Sequence, residues 1–201
     1  MYKLFMTTLN KAIMKRYVPH PAQAGFRPDS TTLQHTSRLH ELLHHCRPGT
    51  LLFVDLQKAF DSVHVPTLLD VMTHMGHDPC IVQHLRAIYQ PTTCCHYTYN
   101  TACPPLTVSH NGTGVCQGCP LSPTLFLLYF DLLLHQLEKA VPGVPAIGPG
   151  GNRVFTDCGL LAFADDLATL QQDLTRDPSG APLAATLTTL INTLRSLGLT
   201  S

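Results

Sequence analysis

Apolar positions recur along this chain at two periods, and the switches between them mark its elements. Between Tyr2 and Tyr17, several of Leu4, Phe5, Leu9, Ile13 and Met14 stand at helical spacing, which predicts an amphipathic helix with Lys11, Lys15 and Arg16 outward. Pro19 and Pro21 end it. Ser30 or Thr31 caps a second helix through Leu33, Leu39, Leu42 and Leu43 to His45, and Pro48-Gly49 breaks the chain again. Pro66 opens a third helix that turns Leu68, Leu69, Val71, Met72 and Met75 inward and closes at Gly76. Pro79 starts a fourth, reaching Tyr89. The segment 124–140 is apolar on nearly every side in its first half, from Leu125 to Leu134, and so predicts a central buried helix. Ala184, Leu187, Leu190, Ile191 and Leu194 give a last helix, ended by Gly198.

Elsewhere the apolar runs are short and strand-like. Thr50-Leu51-Leu52-Phe53-Val54-Asp55 is continuous and ends in an acid, which predicts a buried strand carrying a carboxylate at its C-terminal end. The stretches 94–100 and 106–110 suggest two more strands, with Asn111-Gly112 as a turn signal. Gly and Pro punctuate a tight loop over 113–123, and 142–152 predicts a flexible surface loop. In Leu160-Leu161-Ala162-Phe163-Ala164-Asp165-Asp166-Leu167-Ala168-Thr169-Leu170, two adjacent acids separate two apolar runs of strand length, as in a hairpin with the acids at its tip. Taken alone, such an Asp pair is also what an ordinary turn looks like.

Composition narrows the class. The apolar fraction is 44 % and charged residues are 13 %, which predicts a packed core. No apolar run is long enough to cross a bilayer, and the start lacks the layout of a signal peptide. The cysteines, Cys46, Cys80, Cys94, Cys95, Cys103, Cys116, Cys119 and Cys158, are scattered, as expected of reduced intracellular thiols. Cys116 and Cys119 form a lone CxxC without the further ligands that structural zinc needs. Net charge is zero with histidine neutral, which argues against a free-standing basic nucleic-acid binder. An enzyme that holds nucleic acid in a groove, or through another domain, remains compatible.

If Asp55 and the Asp165-Asp166 hairpin are neighbours in one sheet, three carboxylates converge. Like charges that close need a counter-charge, and hard oxygen ligands suit Mg²⁺. A pair of such ions stabilises both the attacking and the leaving oxygens of an in-line phosphoryl displacement. This physics allows metal-assisted phosphoryl or nucleotidyl transfer without choosing among polymerase, nuclease and cyclase.

The order of motifs does choose. Phe53-Val54-Asp55-Leu56-Gln57-Lys58-Ala59-Phe60-Asp61-Ser62-Val63 resembles polymerase motif A of reverse transcriptases. Gly114-Val115-Cys116-Gln117-Gly118-Cys119-Pro120-Leu121-Ser122-Pro123 resembles their motif B, and Phe163-Ala164-Asp165-Asp166 their motif C. Gln23-Ala24-Gly25-Phe26-Arg27-Pro28-Asp29-Ser30-Thr31 resembles the upstream fingers motif. The wording is that of the non-LTR retrotransposon type.

The resemblance implies an RNA-directed DNA polymerase that works on an RNA template, a DNA primer and dNTPs, with no membrane involved. Its fold would be α+β: a polymerase palm, with an antiparallel sheet and helices on one face, over 50–201, and partial fingers over 1–49. Asp55 and Asp165 would bind two Mg²⁺ ions, with Mn²⁺ able to substitute, and Asp166 would support the site. Phe60 would be the steric gate against a 2′-OH, the group that distinguishes ribose from deoxyribose. Backbone amides of Leu56, Gln57, Lys58 and Ala59 would face the triphosphate, Gln117 and Gly118 would line the nucleotide pocket, and Arg27, which matches the fingers arginine, would also bind the nucleotide. Cys116 stands where relatives often carry a basic residue. Segment 196–201 resembles only the opening of motif D, and the thumb and endonuclease domains of a parent polyprotein are not among these residues. The competing expectation is a catalytically inactive remnant that at most binds nucleic acid or a partner. An RNA-templated RNA polymerase is disfavoured by Phe60.

Overall fold

The computed structural model describes residues 2–27, 30–45, 49–89, 93–96, 106–109, 113–140, 145–147, 153–155, 159–172 and 181–199. Among the described residues, six helices and seven strands are laid down in the order α1 (Tyr2–Met14), α2 (Thr32–His45), β1 (Gly49–Val54), α3 (Val65–His74), α4 (Pro79–Ile88), β2 (Thr93–His96), β3 (Leu106–Ser109), α5 (Ser122–Ala140), β4 (Pro145–Ile147), β5 (Arg153–Phe155), β6 (Leu160–Phe163), β7 (Asp166–Gln172) and α6 (Ala181–Ser196). The class is α+β. The pairings between these named strands are antiparallel: a three-stranded sheet of order β1-β7-β6, and the two-stranded pairs β2-β3 and β4-β5.

Local chemistry explains the helix ends. Thr31 Oγ1 accepts from Gln34 N–H at 3.2 Å while Gln34 Oε1 accepts from Thr31 N–H at 3.0 Å, a reciprocal capping box that starts α2. Pro66 and Pro79 sit in the first turns of α3 and α4, and Asp78 caps α4 by accepting from Cys80 N–H. Gly76 (φ +73°) and Gly198 (φ +70°) end α3 and α6 in left-handed closures; His77 N–H reaches Met72 O, and Leu199 N–H reaches Leu194 O.

Helix α5 is the centre. Leu125, Phe126, Leu127, Leu128, Tyr129, Phe130, Leu133, Leu134 and Leu137 are all buried, as its all-round apolar character predicts. The main core gathers around it, and takes Leu160, Ala162, Leu167 and Val54 from one face of the sheet. Leu51, Leu161, Ala168 and Leu170, on the opposite face, pack instead with Leu39, Leu42 and Leu43 of α2. Helices therefore lie on both faces of the sheet rather than on one. The period-2 alternation leaves a second apolar face, and α2 covers part of it.

Three further expectations change. The buried stripe of α1 is Met6, Leu9 and Ile13, continued by Tyr17, whereas Leu4 and Phe5 are exposed. Strand β1 is only partly buried, and Phe53 is 73 % exposed, because the cover from α2 falls on Leu51 and stops short of the strand's end. Within the predicted loop 142–152, Pro145–Ile147 forms β4 and pairs with β5. The remainder of that loop, the Asn111-Gly112 turn and residues 97–100 lie outside the described residues. Among the described residues, no helix is long and apolar enough to cross a membrane.

Candidate active site

The sheet brings the predicted acids together at one end. Val54 is paired with Leu167, so one step further Asp55 stands level with Asp166 on the adjacent strand. Alternation puts both on the face of Phe53 and Ala168, and both line an open cleft of about 480 Å³ beside His35, Thr36 and Phe163. Asp165 lies in the two-residue loop between Phe163 and Asp166, which are themselves paired. The positive φ falls on the first loop residue, Ala164 (+57°), and not on Asp165, the pattern of a type II′ turn. No hydrogen bond or ion pair ties the side chains of Asp55, Asp165 or Asp166 to described residues. Nor do their oxygens gather within ligand distance of one another: among the described residues, the one such trio is His20, His135 and Glu138. Uncompensated carboxylates repel, so closer approach would need a cation between them.

That His20 trio is better explained without a metal. His20 Nδ1 accepts from Ala22 N–H at 3.1 Å, which places the ring proton on Nε2, 3.2 Å from Glu138 Oε2. A metal on Nε2 would require a proton on Nδ1, pointed at another donor. The surrounding bonds anchor the chain after α1. Tyr17 Oη donates to Asp131 Oδ2, which also accepts from His20 N–H at 2.8 Å. Burial pushes the Asp131 carboxyl up, and burial beside that carboxylate pushes the Tyr17 hydroxyl up.

The motif A and motif B segments are joined by backbone. Gly114 N–H donates to Val63 O at 2.7 Å, Val115 N–H donates to Phe60 O at 2.9 Å, and His64 bridges Thr113. A Cβ on Gly114 would stand 3.1 Å from Asp61 Cα and O, so that position needs glycine for close approach as well as for its φ of +84°. Gln117 Nε2 reaches Asp61 Oδ1 at 3.4 Å, and Ser122 Oγ closes the loop onto Cys116 O. Phe60, Gln117 and Gly118 line one cleft of about 460 Å³, together with Lys3, Cys116 and Pro120. The Phe60 ring is stacked on Phe126 (centroids 4.7 Å, 19°) and meets Phe26 edge-on (6.2 Å, 82°), so its place in that cleft is fixed by packing. Tyr89 lies under the loop with its hydroxyl pushed up to about 12 by burial.

The remaining predicted residues divide. Leu56 and Ala59 have buried side chains, which leaves their backbone to serve any ligand; Gln57 and Lys58 are exposed, and Lys58 is left-handed (φ +49°). Arg27 turns back to donate to Gln23 O at 3.0 Å. Asp55 and Asp166 thus line one cleft and the Phe60-Gln117-Gly118 group another. What motif spelling alone assigned no task is Gln23, which is fully buried and bonded to the acid hairpin.

The sequence profile of the family described as reverse transcriptase (RNA-dependent DNA polymerase) matches residues 2–201. Over 161 residues the chain is 31 % identical to an uncharacterized 149 kDa protein of transposon TX1 from Xenopus laevis, covering 78 % of this chain and 12 % of that protein. Over 185 residues it is 28 % identical to a retrovirus-related Pol polyprotein from the type-1 retrotransposable element R2 of Popillia japonica, covering 90 % of this chain and 24 % of that one. The chain therefore spans less than a quarter of either relative's length.

Proposed function

The chain belongs to the reverse transcriptase (RNA-dependent DNA polymerase) family, and from that premise we propose that it is the nucleotidyl-transfer region of a non-LTR retroelement polyprotein. Residues 50–201 would be palm and 1–49 part of the fingers. The reaction would add dNTPs to the 3′-OH of a DNA primer on an RNA template. The observation that carries this reading is the level placement of Asp55 and Asp166 on neighbouring strands, with Asp165 in the adjoining turn.

Three hard-oxygen side chains with no partner among the described residues, two of them lining the open cleft at one end of the sheet, suit divalent cations such as Mg²⁺ or Mn²⁺. Asp55 and Asp165 would hold two ions with Asp166 in support, and the bound ions would supply charge stabilisation for the attacking and leaving oxygens. The rest falls to the chain's own groups. The stacked Phe60 ring would exclude a 2′-OH from the sugar site. Gln117 and Gly118 would line the nucleotide pocket, and the backbone of Leu56 to Ala59 would meet the triphosphate. Arg27 would act on the fingers side by bracing Gln23.

Primer extension on an RNA template with dNTPs and Mg²⁺ tests this, with Asp55→Asn and Asp165→Asn beside the unchanged chain. Extension by the unchanged chain and its loss by at least about a hundredfold in both variants is the expected result, the scale on which removal of a key electrostatic group acts. Extension that survives in both variants would sink the assignment. No extension by any of them, with binding of a primer–template duplex retained, would favour a non-catalytic remnant.

A further inference from the structure

The hairpin that carries Asp165 and Asp166 does not hold its shape alone. Ala164 has a positive φ, a conformation that L-residues rarely adopt. Its peptide groups also face protein rather than water, because Ala164 is 8 % exposed. Buried backbone groups need partners. Both come from one side chain 141 positions earlier: Gln23 Oε1 accepts from Ala164 N–H at 2.9 Å, and Gln23 Nε2 donates to Ala164 O at 3.1 Å.

The amide orientation is determined by its neighbours. Oε1 also accepts from Gly25 N–H at 2.8 Å, so a flipped amide would set NH₂ against two donors. On either side, Ala24 N–H donates to Ala162 O and Ala162 N–H donates to Ala22 O, both at 2.8 Å, which lays this segment along β6 as a short parallel bridge. Gly25 is pressed so closely on the turn that a Cβ there would stand 2.1 Å from Ala164 N. The segment is tied at its other end to α5 through Tyr17, His20 and Asp131.

We propose that Gln23 is a positioning residue for the acid pair: its amide sets the Ala164 peptide, and with it the direction in which Asp165 and Asp166 leave the turn. The inference rests on the reading of those acids as metal ligands, but the latch itself is separately observable. Glutamine is suited because it offers one donor and one acceptor at the reach of a peptide unit. Glutamate keeps the acceptor and loses the donor, and alanine loses both.

The test uses the whole chain and three variants, Gln23→Ala, Gln23→Glu and Asp165→Asn. Amide exchange at Ala164, read by NMR against Ala162 and Leu167, reports the latch; Mn²⁺ binding, read by water-proton relaxation, reports the acids. Gln23→Ala is expected to speed Ala164 exchange by about tenfold or more, with the two reference amides still protected. Gln23→Glu should fall between it and the unchanged chain. Mn²⁺ affinity should drop about tenfold in Gln23→Ala, the scale on which groups orienting metal ligands act, and primer extension should lose kcat with little change in KM for dNTP. Asp165→Asn should lose Mn²⁺ and leave Ala164 exchange unchanged. Unaltered Ala164 exchange in Gln23→Ala overturns the latch, and faster exchange with unaltered Mn²⁺ affinity overturns its role toward the acids. Mn²⁺ binding that survives in Asp165→Asn overturns the metal reading instead. Should Gln23→Ala not fold, Gln23→Glu carries the same comparisons.

Discussion

A single aromatic ring shows how much a residue's surroundings decide. Phe60 is half-buried, stacked on Phe126 and edge-on to Phe26, and shares a cleft with Gln117 and Gly118. A ring held this way cannot swing aside for a 2′-OH at small cost. Phe60→Ala is therefore expected to raise the use of rNTP relative to dNTP by about tenfold or more, the discrimination that a steric or polar mismatch of one group commonly provides. Competing single-nucleotide incorporations measure it, and an unchanged ratio in an otherwise active chain would reject the gate. Motif spelling pointed to Phe60, while the stacking that immobilises it comes from α5. Gln23 is the converse case: it falls within the fingers motif, but nothing in spacing shows that its amide reaches Ala164.

Among the elements, the joint between the end of α1 and α5 has the clearest energetics. Asp131 is 5 % exposed; its Oδ2 accepts from Tyr17 and His20, while Oδ1 has no partner among the described residues. Burial holds its pKa above the ordinary value of 3.8, so the stability it contributes is greatest at low pH and declines as pH rises through the raised value. Asp131→Asn keeps an acceptor for those donors without a buried charge, and should match the unchanged chain within about 1 kcal/mol in urea unfolding at neutral pH. Asp131→Ala strands two donors and should cost about 2–3 kcal/mol. Equal losses in both variants would assign the importance to the charge instead. The sequence showed α1 as amphipathic but not which side turns inward. Apolar residues at 4, 5, 6, 9, 13 and 14 allow two overlapping stripes, and packing onto the core selected Met6-Leu9-Ile13.

For the molecule as a whole, acid sensitivity should begin with histidine. His77 is 4 % exposed, and burial, with the Arg16 charge beside it, holds its pKa below the ordinary 6.5. His35, over the acid cleft, is shifted the same way by burial and by Arg38. A histidine with a lowered folded pKa binds fewer protons folded than unfolded. The stability these histidines contribute is therefore fully present well above 6.5 and is lost as pH falls through 6.5 toward the folded value. Urea midpoints should decline across that window, and His77→Leu should reduce the slope; a slope unchanged in that variant would place the sensitivity elsewhere.

The sequence by itself determined the helices and their ends, the apolar character of α5, the hairpin that carries two acids, and the family, because caps, breakers, periodicity and motif spelling are written in consecutive letters. Only the tertiary structure decided that β7 lies between β1 and β6, which sets Asp55 level with Asp166. It alone decided that α2 covers a second face of the sheet, and that Gln23 and Gly25 close upon the turn at Ala164. These are pairings between segments far apart in the chain, fixed by which buried surfaces and unpaired peptide groups meet. No local pattern encodes that meeting.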